Sequence, residues 1–430
     1  MPSQSATNGE ANGLVGEVRC IPLSYENKNC DPSARELILA LRPEWSSPDS
    51  KLEFVRFTEG ITNTLLKAVN RKEGLTKEEI DNDAILLRAY GHGTDVLIDR
   101  HRETQNHELL TKYGLAPELL ARFNNGMMYR YIRGRVTQPA DLRTLPVYRA
   151  VARRLAQWHA RVPCIHETYA EKSGLNGITN GPHDAAATDH VAPGKPPPNV
   201  WTVMQKWILA LPAKTDAERT RQADLQKELE RLVGELSQRP GLGENGLVFA
   251  HCDLLSGNVI IEPKGPGTTA VDGGGGGGVT DGDNEELSVS FIDYEYATPS
   301  PAAFDLANHF AEWGGFDCDY NVLPTRAQRL EFIEAYIRTY YGLLPDAKVD
   351  LEAEVQRLHA EVDVFRGVPG FYWGIWALIQ ATISQIEFDY AKYAEVRLGE
   401  YWAWRDEVND TRALAGREMP LREKRWAKAE

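Results

Sequence analysis

The chain has 430 residues, 42% of them hydrophobic, and its 62 acidic against 48 basic side chains give a formal charge of −14 and an isoelectric point near 5.3. That length is enough for two lobes or domains with cores of their own. The acidic balance speaks against a nucleic-acid partner, which needs a basic face, and suits a protein that handles a small cation. Cys20, Cys30, Cys164, Cys252 and Cys318 are scattered and nowhere spaced C-x-x-C. Neither a disulfide framework nor a zinc site is expected from them, and a reducing, cytoplasmic setting is the simplest reading. No run approaches about eighteen apolar residues and the start MPSQSATNGEANG is polar, so no integral membrane segment is expected.

Residues 1–15 are polar and Gly-rich and are expected to be disordered. A strand-like stretch runs from Gly16 to Leu23, and Asp31-Pro32 opens a predicted helix to Leu41. Leu52–Phe57 and Asn63–Val69 read as strands joined by Thr58-Glu59-Gly60-Ile61-Thr62, and Ala84–Tyr90 as a third. Such a Gly turn is either an ordinary hairpin or a loop folded over nucleotide phosphates. Arg102–Tyr113 is helical by pattern, and FNNGMMYRY at Phe123–Tyr131 places an Asn-Asn-Gly turn between two strand-like runs. Leu145–Arg161 is an amphipathic helix whose closing Trp158-His159 reads as core packing. Gly174–Asn199 is a loop by composition, and its His183 and His190 lack the carboxylate spacing of a metal site and read as solvated. Ala217–Gln238 is a charged amphipathic helix. The insert 263–287 holds six consecutive glycines, Gly273–Gly278, without the helix and lysine that a phosphate cradle requires, and is expected to be disordered and dispensable.

The segments that carry chemistry are VFAHCDLLSGNVII, Val248–Ile261, and VSFIDYEYATPSPAAFDLANHF, Val289–Phe310. Phosphoryl transfer from ATP needs a carboxylate at the attacking hydroxyl and oxygen ligands for Mg²⁺ on the phosphates. Asp253 stands two residues after His251, Asn258 five residues further on, and Asp293 just after an apolar strand. This spacing suits a strand, loop and strand that aim Asp253 at the substrate and give Asn258 and Asp293 to the metal.

These two segments resemble the choline/ethanolamine kinase family, and so do FTEGITNTLL (Phe57–Leu66), ILLRAYG (Ile85–Gly91), LAPELLARFNNGMMYRYIRG (Leu115–Gly134) and WGIWALIQATISQIEFDYAKYA (Trp373–Ala394). The matches run in order over about residues 50–405, and TEGITN and FNNG are most like the ethanolamine kinase branch. The resemblance implies an α+β, two-lobed protein-kinase-like fold. A small antiparallel sheet would form the nucleotide-binding N-lobe, 16–131, and a mostly helical C-lobe, 132–430, would be catalytic and hold the amino-alcohol. It implies ATP and Mg²⁺ as cofactors. Thr58, Gly60, Thr62 and Asn63 would lie at the phosphates, and Arg88 would stand in the place of the kinase lysine, its planar fork suited to two phosphate oxygens. Glu103 either pairs with that base or is a solvated carboxylate at a helix start. Backbone groups from Met128 to Tyr131 are the candidate adenine contacts, and Ile132-Arg133-Gly134 the hinge.

Aromatic faces attract ammonium ions and carboxylates accept their N–H groups. The resemblance places Tyr296, Tyr320, Trp373 and Trp376 at the amino-alcohol, with Tyr393 as a further candidate and Glu312 as a nearby acid. The stripe of Trp373 and Trp376 at helical spacing also reads as core. Asp305 has two readings, an acid near the substrate or a residue that holds the catalytic loop backbone together with His251; the second is preferred. Cys252 departs from the family's usual Asn. The expected reaction is transfer of the ATP γ-phosphoryl to ethanolamine, with Asp253 as catalytic residue, in a monomer or homodimer. Choline kinase or a dual choline/ethanolamine kinase, another small-molecule phosphotransferase and a kinase-like scaffold are the competing readings.

Overall fold

The computed structural model describes residues 18–57, 63–91, 96–164, 192, 194–263, 287–345, 347–384 and 386–430. Thr58, Gly60, Thr62, His183, His190, the chain start and the glycine run lie outside them. The chain divides into two compact units, residues 1–90 with 118–131, and residues 91–117 with 132–430.

The first unit is a six-stranded sheet. Its strands are β1 (Arg19–Ile21), β2 (Lys51–Phe57), β3 (Asn63–Arg71), β4 (Ile85–Tyr90), β5 (Leu119–Phe123) and β6 (Gly126–Arg130), in the order β1-β5-β6-β4-β3-β2. The expectation of a purely antiparallel sheet fails at one edge: β1 runs parallel to β5, with Arg19 opposite Ala121. The two strands lie far apart in sequence and no hairpin links them, so nothing forces antiparallel pairing. Helix α1 (Cys30–Leu41) contributes Ala34, Leu37 and Ile38 to a core shared with Leu66, Leu87, Ala121 and Met128 of the sheet. Helix α2 (Lys77–Asp83), which periodicity alone did not suggest, is short but closed by a capping box between Thr76 and Glu79. The Asn-Asn-Gly turn joins β5 to β6. Asn125 clamps the segment after β1 by accepting from the Tyr25 N–H and donating to its carbonyl, both at 2.9 Å. A Cβ on Gly126 would come within 2.1 Å of the Arg88 carbonyl oxygen, so only glycine fits beside that strand.

The second unit is mostly helical. It begins with α3 (Arg100–Lys112), capped by Asp99, which accepts from two backbone N–H groups. A division at 131/132 misplaces this helix. Asn106 donates to the Ala297 carbonyl at 2.9 Å and His107 meets the Tyr294 ring edge-on, so residues 91–117 pack with the residues that follow 132. Then come β7 (Arg135–Val136), α4 (Leu145–Arg161), α5 (Val200–Ala210) and α6 (Asp216–Leu236). Short strands β8 (Val248–Ala250), β9 (Val259–Ile261), β10 (Val289–Phe291) and β11 (Thr298–Ser300) carry the loops of interest. They pair as β10-β9-β7 and β11-β8, with Ile261 opposite Val289 across the insert. Helices α7 (Ala302–Ala311), α8 (Arg326–Gly342), α9 (Leu351–Phe365), α10 (Val368–Ile383), α11 (Tyr390–Val408), α12 (Thr411–Leu414) and α13 (Leu421–Trp426) complete the unit. Among the described residues no helix is long and apolar enough to cross a membrane.

Candidate active site

The loop from β8 to β9 is shaped by burying VFA and VII on either side of a polar stretch. Both strands are too short to hold it by themselves, and α7 supplies the rest. Asp305 accepts the His251 N–H at 3.0 Å and the Cys252 N–H at 2.8 Å, and His159 of α4 meets the same carboxylate at 3.0 Å. Asn308 donates to the Cys252 carbonyl at 2.8 Å, and His309 Nδ1 to that of Leu254 at 2.8 Å. These clamps hold Cys252 at φ 63°, a left-handed conformation that non-glycine residues seldom take unless their surroundings impose it.

His251 is buried, and burial pushes its ring down to about 4, against the pull of the Asp305 charge. Its Nε2–H donates to the Ile292 carbonyl at 3.0 Å, while Nδ1 accepts the Asp253 N–H at 3.3 Å. The neutral ring therefore ties the catalytic loop to the strand end before Asp293. His159 and Trp158 were expected only to fill core. They are buried, but Trp158 also donates to the Phe249 carbonyl at 2.8 Å and stacks on Phe249, so the pair anchors the loop from α4.

Asn258 donates through Nδ2 to the Asp253 carbonyl at 2.7 Å and to its carboxylate Oδ2 at 3.0 Å. Those bonds fix the amide plane and turn Oδ1 away from Asp253. Burial and then the Asp293 charge push the Asp253 carboxyl up, with Glu312 and Glu295 adding to the effect. Asp293 itself sits at φ 66°. The Asn258 amide oxygen and the Asp293 carboxylate are oxygen donors next to the Asp253 charge, which would fit a hard divalent cation that takes its remaining ligands from phosphates and water. Among the described residues no group of three or more His, Cys, Asp and Glu side chains forms a metal cage, and a cation held in that way needs none.

Of the amino-alcohol candidates, Tyr296, Trp373 and Trp376 come together. Tyr296 meets Trp373 edge-on at 5.6 Å, Trp373 meets Trp376 at 5.4 Å, and Trp376 Nε1 donates to the Tyr296 hydroxyl at 2.8 Å. Burial, then the Glu295 charge, keeps the Tyr296 phenol protonated. Trp373 Nε1 donates at 2.8 Å to Oδ1 of Asn308, the same amide that holds Cys252. Tyr393 of α11 contacts Phe316 and Phe388 and lies under Arg397 at 5.8 Å. Glu312 is buried and meets Arg397 at 3.4 Å. Burial raises its carboxyl, opposed by Arg397 and reinforced by Glu400. Tyr320 is half-buried, its hydroxyl pushed up by burial and by Glu400. Helices α10 and α11 can approach closely because a Cβ on Gly370 would lie 2.6 Å from the Arg397 carbonyl. Core and pocket readings of the tryptophans are not exclusive, since both indole N–H groups are aimed at polar partners.

The nucleotide candidates fare unevenly. Arg88 is buried on β4, opposite Leu65 of β3 and Met127 of β6, and Asn63 opens β3. Met128 lies in mid-strand, paired with Leu87 on one side and Ala121 on the other, with its side chain fully buried. That makes the Met128 side chain part of the sheet core. The Tyr131 N–H donates to the Ala84 carbonyl at 3.1 Å and its ring lies under Lys67 Nζ at 3.8 Å, leaving its carbonyl as the polar group at that turn. Glu103 is not a solvated helix-start carboxylate: it is buried and accepts from Arg100 at 2.9 Å, and Arg100 also reaches Glu295 at 3.3 Å.

Sequence reasoning assigned no role to Asn308, His309, Arg397 or Glu400. Asn308 and His309 stand inside DLANHF, where an amide and an imidazole on a helix just past the metal loop are a visible signal. Arg397 and Glu400 lie in α11, whose pattern carries no local cue.

The fold and this loop define a protein-kinase-like phosphotransferase. It resembles a solved Plasmodium vivax ethanolamine kinase, with TM-score 0.63 and 23% identity over 87% of this chain and 89% of that one. A Cryptosporidium parvum choline kinase gives TM-score 0.54 and 20% identity over 88% and 97%. The family model for choline/ethanolamine kinase matches residues 54–402. Ethanolamine kinase 1 from Homo sapiens is 32% identical over 89% of this chain and 74% of its own, and ethanolamine kinase 2 from Mus musculus 30% over 91% and 86%. The chain belongs to the choline/ethanolamine kinase family.

Proposed function

We propose that this protein transfers the γ-phosphoryl group of ATP to the hydroxyl of ethanolamine, giving phosphoethanolamine for the CDP-ethanolamine route to phosphatidylethanolamine. The observation that carries the reading is the joint held by Asn308. It ties the loop bearing Asp253 to Trp373 of an aromatic box suited to an ammonium group.

Asp253 orients the substrate hydroxyl and accepts its proton. Asn258 Oδ1 and Asp293 would hold Mg²⁺, whose charge would neutralise phosphate oxygens. Arg88 and Asn63, with Thr58, Gly60 and Thr62, would steady the phosphates, and backbone groups near Tyr131 would meet the adenine. Tyr296, Trp373, Trp376 and Tyr393 surround the ammonium, and Glu312 accepts its N–H groups. All five cysteines are free, which suits a cytoplasmic setting.

Ethanolamine can donate N–H bonds that choline lacks. A buried acceptor left without its donor costs about 1–3 kcal/mol, which is roughly 5- to 150-fold in kcat/KM. The test is ADP release with ethanolamine and with choline, each over a concentration series. A preference for ethanolamine is expected, and a ratio of one or less replaces this reading with choline kinase.

A further inference from the structure

Glu312 does not end at the box. It begins a buried line of alternating charges that leads out to the C-terminal helix α13. Arg397 Nη2 lies 3.4 Å from Glu312, and Arg397 Nε lies 3.4 Å from Glu400, one turn further along α11. Glu400 in turn meets Arg422 of α13 at 4.0 Å. Arg422 meets Glu423 at 3.0 Å, and Glu423 meets Arg366 at 2.8 Å. Glu312, Arg397, Glu400, Arg422 and Glu423 are all buried. Tyr320, another candidate for the box, has Glu400 as its main charged neighbour. Two residues assigned to the amino-alcohol therefore share one hub.

A line of buried charges is stabilised only while each member keeps its neighbours, because water cannot replace a lost partner. Arg397 is divided between two carboxylates, Glu312 on the substrate side and Glu400 on the far side. Glu400 is likewise divided between Arg397 and Arg422. What Arg422 gives to Glu400 decides how far Arg397 is drawn from Glu312.

We propose that Arg422 and Arg397 are positioning residues for the amino-alcohol, acting through Glu400 to set the place and charge of Glu312, so that the C-terminal helix takes part in recognising the substrate's ammonium group. The inference rests on the ethanolamine reading above. Without Arg422, Glu400 pulls Arg397 toward itself, and Glu312 loses the cation that holds it in place. Ethanolamine, which gives N–H bonds to Glu312, suffers; choline, which has none to give, is held by the rings alone.

The experiment compares Arg422→Gln and Arg422→Lys with the natural protein, measuring kcat and KM for ethanolamine, choline and ATP, with thermal denaturation as a check on folding. Arg422→Gln should raise the KM for ethanolamine about 5- to 20-fold and lower the ethanolamine-to-choline ratio to match, with the KM for ATP unchanged. Arg422→Lys should restore the ratio to within about twofold by returning the charge. An unchanged ratio in Arg422→Gln, an equal rise in KM for both alcohols, or failure of the lysine variant to restore the ratio overturns the proposal. Natural protein that prefers ethanolamine while Arg422→Gln keeps that preference sinks this inference and leaves the substrate reading standing. Natural protein without the preference sinks both. Should Arg422→Gln not fold, Arg397→Lys, which keeps the charge and drops the fork, decides by the same ratio.

Discussion

The loop bearing Asp253 and the box of Tyr296, Trp373 and Trp376 proposed for the amino-alcohol are built in opposite ways. From His251 to Asn258 the chain is held mainly through its backbone: Asp305, Asn308 and His309, all within one helix, bond to the N–H and carbonyl groups of residues 251, 252 and 254. The box is held through side chains, ring edge against ring face, by residues spread from Tyr296 to Tyr393. A loop fixed by its backbone is sensitive to changes at the helix that clamps it. A box fixed by side chains is sensitive wherever a ring or its N–H group changes.

Replacing the group proposed to take the hydroxyl proton should have the largest effect. Asp253→Asn keeps the loop's backbone bonds and should lower kcat by about 10²- to 10⁴-fold, with ATP binding by titration nearly unchanged. More than a tenth of the natural turnover would remove Asp253 from the assigned role. Asp305→Asn breaks the clamp instead. One of its two oxygens becomes an amide that faces a backbone N–H, and a buried donor left unmet costs about 1–3 kcal/mol. If that cost appears in the barrier, kcat falls roughly 5- to 150-fold while the KM for ethanolamine stays near its natural value. A rise in KM alone would show that the clamp serves binding and not the loop.

Two neighbouring tryptophans sharpen the contrast. Trp373 is bonded to the amide that holds the loop, and Trp376 to the Tyr296 hydroxyl inside the box. Trp373→Phe should therefore lower kcat, and Trp376→Phe should raise the KM for ethanolamine, each by about 3- to 10-fold. The same pattern from both variants would erase the distinction. The smallest effect is expected from removing Gly265–Glu285 and closing the gap with Asn-Gly. The register of Ile261 with Val289 continues one step further, Glu262 N–H donating to the Ser288 carbonyl at 3.1 Å, so a short turn can join the two strands. Turnover and melting temperature should stay near those of the natural protein, and a large drop in either would show that the segment packs or gates.

What the sequence made legible follows from the same difference. Asp253, Asn258, Asp293 and Asp305 lie in contiguous motifs, where spacing along the chain translates into spacing in a loop. Most elements of the first unit were legible too, because short alternating strands and an Asn-Asn-Gly turn leave a local pattern. The parallel pairing of β1 was not, because pairing between strands so far apart is decided by tertiary packing. That Met128 lies on a strand between two neighbours was not legible either, because composition cannot reveal which strand is central. The partnership of Glu312 with Arg397 spans 85 positions, and that of His159 with Asp305 spans 146. Neither leaves a trace in local periodicity.

Asn308 also bears on how substrate range can change in such a protein. Its amide is engaged at both ends, by Trp373 at the oxygen and by Cys252 at the nitrogen. Specificity and loop geometry are thereby one inherited unit at this point: a redesigned box that replaces Trp373 must bring another donor to Asn308 or disturb the residue next to Asp253. Trp376 and Tyr393, tied to partners within the box or on α11, carry no such obligation. Engineering toward bulkier or more methylated amines has its open route there, while Trp373 is a position where a change of taste is also a change of machine.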